Sequence, residues 1–197
     1  EETHKFGFEM LAAACNTGGQ AFSLIGVLMI PYFTKINGRK KALIILLVIA
    51  LLCTGSYYFF KPQNMVLIFL MQVFGSVTGG PISTLLWVMY ADTADYSEWK
   101  TGRRATGLVF SASIMSNKLG WAVGSMIAGL ILALTGFIPN VVQNINVLNG
   151  IKAMMSLIPV IAGLVALTLF VFFYKLDEPT MKKIKADLED RRKASGI

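Results

Sequence analysis

Carboxylates are almost absent from the apolar stretches of this sequence: Glu9 is the only Asp or Glu inside one. Histidine occurs once, at His4, and cysteine twice, at Cys15 and Cys53. A zinc site needs three or four His, Cys or acidic ligands at suitable spacing, so no metal centre is expected. Both thiols fall in apolar surroundings and read as packed side chains rather than a disulfide. Without a histidine cluster, a serine-nucleophile motif or a central carboxylate pair, no catalytic residue can be named, which argues against an intramembrane enzyme. Charge is scarce overall, at 15% of residues against 55% hydrophobic, and the mean hydropathy is +0.62. A soluble domain carries far more charge, so that class is excluded.

What remains is apolar sequence in long runs. Crossing the hydrocarbon of a bilayer takes about 20 apolar residues at about 1.5 Å each. Residues 6–33, 42–60, 65–91, 105–136 and 151–174 meet that length. The expected fold class is therefore an all-α membrane protein, with five transmembrane helices over residues 1–174 and a tail over 175–197. The net charge of +7 could suggest nucleic acid, but the cations flank the spans. One side collects Lys35, Arg39, Lys40 and Lys41, then Lys100, Arg103 and Arg104, then the basic tail from Lys175 to Lys193; the other keeps Lys5, Lys61 and Lys152. The positive-inside rule makes the first side cytoplasmic, with the C-terminus on it, so a multi-pass protein of the plasma membrane is expected, the inner membrane in a bacterium. The start, Glu1-Glu2-Thr3-His4-Lys5, has neither a start methionine nor a signal-peptide pattern, and an odd number of spans with an outward start reads as a fragment of a larger protein.

Polar and helix-breaking residues interrupt several spans. Asn16-Thr17-Gly18-Gly19-Gln20 in the first admits cavity lining or close helix packing. Pro31 predicts a kink, and Asn37-Gly38 a tight turn ahead of the basic anchor Arg39-Lys40-Lys41. In the third span, Gly79-Gly80-Pro81 predicts a bend or partial unwinding, and Ser83, Thr84 and Trp87 around it are candidates for a cavity wall. In the fifth, Pro159 predicts another kink. The connection from Ile138 to Asn149 reads as a short uncharged polar cap. The tail begins a helix at Pro179 with a thin apolar stripe, Met181, Ile184 and Leu188, suited to lying on the membrane surface or to being simply solvated.

Lys118 stands alone in the fourth span, with no other charged residue in that run. An ammonium near the bilayer centre costs roughly 2.5–3.5 kcal/mol on insertion scales, so its default reading is a transport or coupling site. Ser111, Lys118 and Ser125 are seven apart and share a helix face, with Trp121 one turn away and Asn117 on the adjacent stripe. An aromatic face, amides, hydroxyls and an ammonium on neighbouring stripes suit a carbohydrate.

The connection between the third and fourth spans carries a charged pattern: Ala91-Asp92, Asp95-Tyr96, Glu98-Trp99-Lys100 and Arg104. Asp92 and Asp95 share a face if the helix continues through them. This pattern resembles the loop between the tenth and eleventh helices of the glycoside–pentoside–hexuronide:cation symporters, the melibiose-permease branch of the major facilitator superfamily. Lys118 matches that family's intramembrane lysine in the eleventh helix. Gly136-Phe137-Ile138-Pro139-Asn140, Gln143 and Gly150 are similar to its last outward loop, and Gly38-Arg39-Lys40 to its basic loop after the eighth helix. Ser83 stands where melibiose permease has a tryptophan, a departure that leaves other glycosides, xylosides or glucuronides equally open as substrates.

The resemblance implies a major-facilitator-type bundle, with the five spans as helices 8–12 of 12 and an N-terminal bundle elsewhere in the protein. It implies secondary active symport of a sugar or glycoside with Na⁺ or H⁺, no bound cofactor, and a cation site in the N-terminal part. Lys118 would couple cation and solute, Trp121, Asn117, Ser111, Ser125, Ser83, Thr84 and Trp87 would line the cavity, and Asp92, Asp95, Tyr96, Glu98 and Arg104 would form a cytoplasmic gate. The rival reading is a non-transporting membrane sensor or scaffold with a structural lysine.

Overall fold

The computed structural model describes residue 13 and residues 17–60, 65–103 and 105–194. Among these the chain is helical and contains no strand. His4, Glu9, Cys15, Asn16, Lys61, Arg104 and the start of the first expected span lie outside the described residues.

The first span has two helical pieces. Helix α1, Thr17–Leu28, passes through a turn at Met29 into α2, Ile30–Ser56. Backbone bonds bridge the turn: Met29 N–H donates to Ile25 O (3.2 Å) and Phe33 N–H to Met29 O (3.1 Å). Pro31 sits in the first turn of α2, where its missing N–H costs nothing. The path breaks a second time at Gly38, whose φ of 73° and ψ of 159° are non-helical and open to glycine alone. The expected Asn37-Gly38 turn is thus a kink inside one element; helix runs on to residue 37 and resumes at 39.

Helix α3 covers Met65–Thr101 without interruption. Two expectations are corrected here. Of the bend or partial unwinding expected at Gly79-Gly80-Pro81, the unwinding does not occur, and the charged connection after residue 91 is not a loop but three further helical turns. Pro81 supplies no N–H to the carbonyl of Val77, one turn earlier. Gly26 of α1 lies against that carbonyl so closely that a Cβ on it would fall 2.0 Å from the oxygen. Gly80 is equally tight on Ser23, and Gly19 on Ser76, so small residues set the α1–α3 crossing. Of the two readings of the glycine-rich stretch, Gly19 takes the packing one, whereas a Cβ on Gly18 would meet nothing within 4 Å. Gly26→Ala should therefore lower the melting temperature of the purified protein by the equivalent of about 1–3 kcal/mol of overpacking, and Gly18→Ala should leave it unchanged. Equal melting curves for the two variants would refute this account.

Helix α4, Thr106–Thr135, ends on a left-handed Gly136 and packs against α3 and against the next helix along the chain. The expected polar cap shortens, because Asn144 caps a helix: α5, Ile145–Lys152, continues through a π-helical turn at Ala153–Leu157 into α6, Ile158–Phe173. The kink expected from Pro159 is that π turn. Proline lacks the N–H that Met155 O would accept, and the register shifts by one residue just ahead of it. Two helical rods, Thr106–Thr135 and Ile145–Phe173, are each long and apolar enough to cross a membrane. Neither α4 nor α6 contains a buried residue, which suits helices whose solvent is lipid.

The main core joins Ala42, Leu43 and Leu46 of α2 to Leu85 and Met89 of α3, with Phe170 and Tyr174 against it. Helix α7, Glu178–Ala194, forms a second core: Met181, Ile184 and Leu188 bury against Tyr96, Trp99 and Leu176. The apolar stripe of the tail is therefore covered by α3 rather than by lipid or water. That contact is possible because α3 continues for three turns past the end of its apolar run.

Candidate functional site

The charged end of α3 is built by the kink at Gly38, the extension of α3 and the docking of α7. The kink starts a new helix at Arg39 and turns its guanidinium towards α3. Asp92, 2% exposed, accepts from Arg39 Nη1 on Oδ2 at 2.5 Å and meets Lys185 Nζ on Oδ1 at 3.0 Å. One buried carboxylate thus ties α2, α3 and α7 together. A carboxylate this buried must be paired and hydrogen-bonded, and each oxygen has its own cation. Burial disfavours the charge on Arg39, but the hydrogen bond and charge of Asp92, helped by Glu178, outweigh it, and the net shift is above its ordinary value.

The next turns of α3 hold α7 by other means. Trp99 Nε1 donates to Asp187 Oδ2 at 2.9 Å, and Arg191 Nη1 donates to Trp99 O at 3.1 Å. Arg192 pairs with Glu98 at 3.1 Å. Tyr96 lies beside Trp99, their ring centroids 6.3 Å apart, with Lys100 Nζ over its ring at 5.9 Å. Among the described residues Asp95, half-buried, has no ion pair. The sequence-predicted gate residues Asp92, Tyr96 and Glu98 thus come together around α7, Asp95 stands beside them, and Arg104 lies outside the described residues.

Reasoning from sequence did not assign Arg39, Trp99, Lys185, Asp187, Arg191 and Arg192 to this cluster. The signal for α7 was present in Met181, Ile184 and Leu188, whose spacing marks one apolar helix face. What it covers could be found only once α3 was known to extend to Thr101.

The candidate cavity residues fall into two groups that the structure does not join. On α3, Ser83 and Thr84 donate to Gly80 O, both at 3.0 Å, so their hydroxyls are used locally. Trp87 stacks on Phe110 of α4 at 5.8 Å and meets Tyr90 edge-on, bracing the α3–α4 contact. On α4, Ser111, Asn117, Lys118, Trp121 and Ser125 are all exposed. Trp121 Nε1 donates to Asn117 Oδ1 at 3.1 Å, and Ser125 Oγ to Trp121 O at 2.9 Å. Lys118 has no ion-pair or hydrogen-bond partner among the described residues. Together with Ser111, Ile114, Met115 and Leu119 it lines a shallow depression on the outer face of α4. No group of His, Cys, Asp or Glu among the described residues could hold a metal ion.

A family model described as MFS/sugar transport protein matches residues 3–178. The chain is 34% identical over 180 residues to the isoprimeverose transporter of Lactiplantibacillus pentosus, covering 88% of this chain and 36% of that protein. It is 32% identical over 174 residues to a putative sulfoquinovose importer of Salmonella typhimurium, covering 86% and 36%. To the glucuronide carrier protein homolog of Escherichia coli K12 it is 31% identical over 168 residues, covering 84% and 36%. The chain spans about 36% of the length of these relatives.

Proposed function

The chain belongs to the MFS/sugar transport protein family, and from that premise we propose that it forms part of a sugar or glycoside:cation symporter of the glycoside–pentoside–hexuronide type. Its spans correspond to the last five of twelve helices, working against an N-terminal bundle by alternating access. The observation that carries the reading is the α4 stripe. Lys118, Asn117, Trp121 and Ser125 lie on a membrane-length helix without a buried residue, and no described side chain of this chain meets the ammonium. A stripe of that chemistry in a bilayer needs a partner or a wet cavity, and a central sugar pathway between two bundles supplies both.

Lys118 then couples cation and solute, and Trp121, Asn117, Ser111 and Ser125 line the pathway, with Ser83, Thr84 and Trp87 at its α3 side. Na⁺ or H⁺ is bound outside this chain, whose described spans carry no carboxylate, and no cofactor takes part. The cluster of Asp92, Tyr96 and Glu98, with Asp95 beside it, serves as the cytoplasmic gate, Arg104 being assigned to that gate from sequence alone, and each ion pair needs to contribute only about a kcal/mol to shift the balance of conformers.

The test is uptake of a panel of labelled glycosides, pentosides and hexuronides into proteoliposomes holding the intact protein, with an inward Na⁺ gradient, an inward H⁺ gradient, or neither. Concentrative uptake of at least one solute, dependent on one of the two gradients, is expected. No flux of any solute under either gradient would sink the proposal in favour of a non-transporting sensor or scaffold.

A further inference from the structure

The kink at Gly38 does more than aim Arg39. It opens a cavity of about 970 Å³ between the two pieces of α2 and the start of α7. Lys35, Lys40 and Lys41 line it from α2 and Lys182 from α7. None of these four lysines has an ion-pair partner among the described residues. Arg39 also reaches this cavity, but Asp92 already meets its charge. Asp177 and Glu178 also line it, so it holds four ammonium groups and two carboxylates and keeps an excess of positive charge.

The helix leading up to the cavity carries exposed apolar side chains. Leu28, Tyr32 and Ile36 follow one another at four-residue spacing and are 80%, 67% and 63% exposed. Tyr32 and Ile36 share a face of α2, Leu28 precedes them at the end of α1, and Ile36 reaches the cavity rim. A free anion would need the lysines and not these apolar side chains, and a neutral lipid the apolar side chains and not the lysines. We propose that this is a binding site for an anionic phospholipid, its phosphodiester headgroup among Lys35, Lys40, Lys41 and Lys182 and one acyl chain along Leu28, Tyr32 and Ile36. Basic pockets at the cytoplasmic ends of membrane helices take anionic headgroups in this way, and an interfacial tyrosine suits the headgroup level.

The experiment is native mass spectrometry of the intact, delipidated protein offered equimolar phosphatidylglycerol and phosphatidylcholine with the same acyl chains. The wild type should retain phosphatidylglycerol preferentially. Lys40→Gln with Lys182→Gln should weaken that retention about tenfold or more, whereas Lys40→Arg with Lys182→Arg should keep it. These two positions leave Lys35 and Lys41 to hold the topology, and Lys40→Gln alone replaces the double variant if the latter is not monodisperse. Equal retention of the two lipids by the wild type would overturn the proposal, as would unchanged retention in the Gln variant. Release of the bound lipid by millimolar inorganic phosphate would also overturn it, since the cavity would then be reading a free anion.

Discussion

Asp92→Ala is expected to be the most damaging single substitution at the charged end of the molecule, lowering stability by about 2–3 kcal/mol. The carboxylate is buried, and its two oxygens serve cations from two other helices, Arg39 at 2.5 Å and Lys185 at 3.0 Å. Removing one partner of a fully buried pair costs about 3–5 kcal/mol, because the other charge is stranded without water. Here the stranded cations are not fully buried: the Arg39 and Lys185 side chains are 31% and 43% exposed, so rehydration returns part of the loss. Glu98→Ala is the internal control. Its pair with Arg192 is 17% and 45% exposed, more open to water than Asp92, so its loss should cost less, about 1 kcal/mol.

Thermal unfolding in detergent and limited trypsin digestion check this together, since α7 carries several lysines and arginines. Asp92→Ala should melt earlier and lose α7 faster than wild type, and Glu98→Ala should follow wild type closely. Identical melting and digestion of all three proteins would show that the Asp92 pairs are not what holds α2, α3 and α7 together. Under the gate proposal the same substitution weakens closure at this end, and reagents that enter from the cytoplasmic side should gain access to it.

These pairs also mark the limit of what the sequence discloses. That the apolar runs are helical follows from their length, because a crossing needs about 20 residues. The Asp92–Asp95 pattern and the isolated Lys118 are legible for the same reason: charge next to or inside an apolar run is costly and therefore conspicuous. The fate of helix breakers is not legible. Pro81 and Pro159 present the same missing donor, yet α3 stays helical where Gly26 covers the freed carbonyl, and the α5–α6 rod absorbs the defect as a π turn. The difference lies in what packs alongside, which no local pattern states. The docking of α7 escapes the sequence likewise, since its apolar stripe fits lipid, water-exposed helix or protein equally well until α3 is seen to reach Thr101. For the cavity candidates, sequence places Ser111, Lys118 and Ser125 on one face correctly. It cannot place Ser83, Thr84 and Trp87 beside them, and in the structure those three spend their polar and aromatic groups on Gly80, Phe110 and Tyr90.

Lys118→Gln should abolish concentrative uptake while leaving insertion and melting as in the wild type. The two halves of that expectation have separate physical origins. Lys118 is exposed and makes no ion pair or hydrogen bond among the described residues, so neutralising it removes no contact among them; substitutions of that kind change stability by no more than about 0.5 kcal/mol. Insertion should be eased if anything, because an ammonium at that depth costs roughly 2.5–3.5 kcal/mol. A residue that is costly to place and meets no described side chain needs a partner beyond the described residues, and in the proposed symporter that partner is the solute and its co-transported cation. Removing its charge breaks the link between them, so solute should equilibrate across the membrane without accumulating. Exchange of labelled for unlabelled solute, which needs no gradient, distinguishes the cases: a coupling lysine predicts exchange with lost accumulation, whereas a lysine that only braces a neighbouring helix predicts lost stability and a parallel loss of both activities. Trp121→Ala should give the complementary result, weaker apparent affinity with coupling intact, because the indole offers a stacking face and no charge. Wild-type accumulation by Lys118→Gln would remove the lysine from the mechanism and leave the α4 stripe without its proposed role.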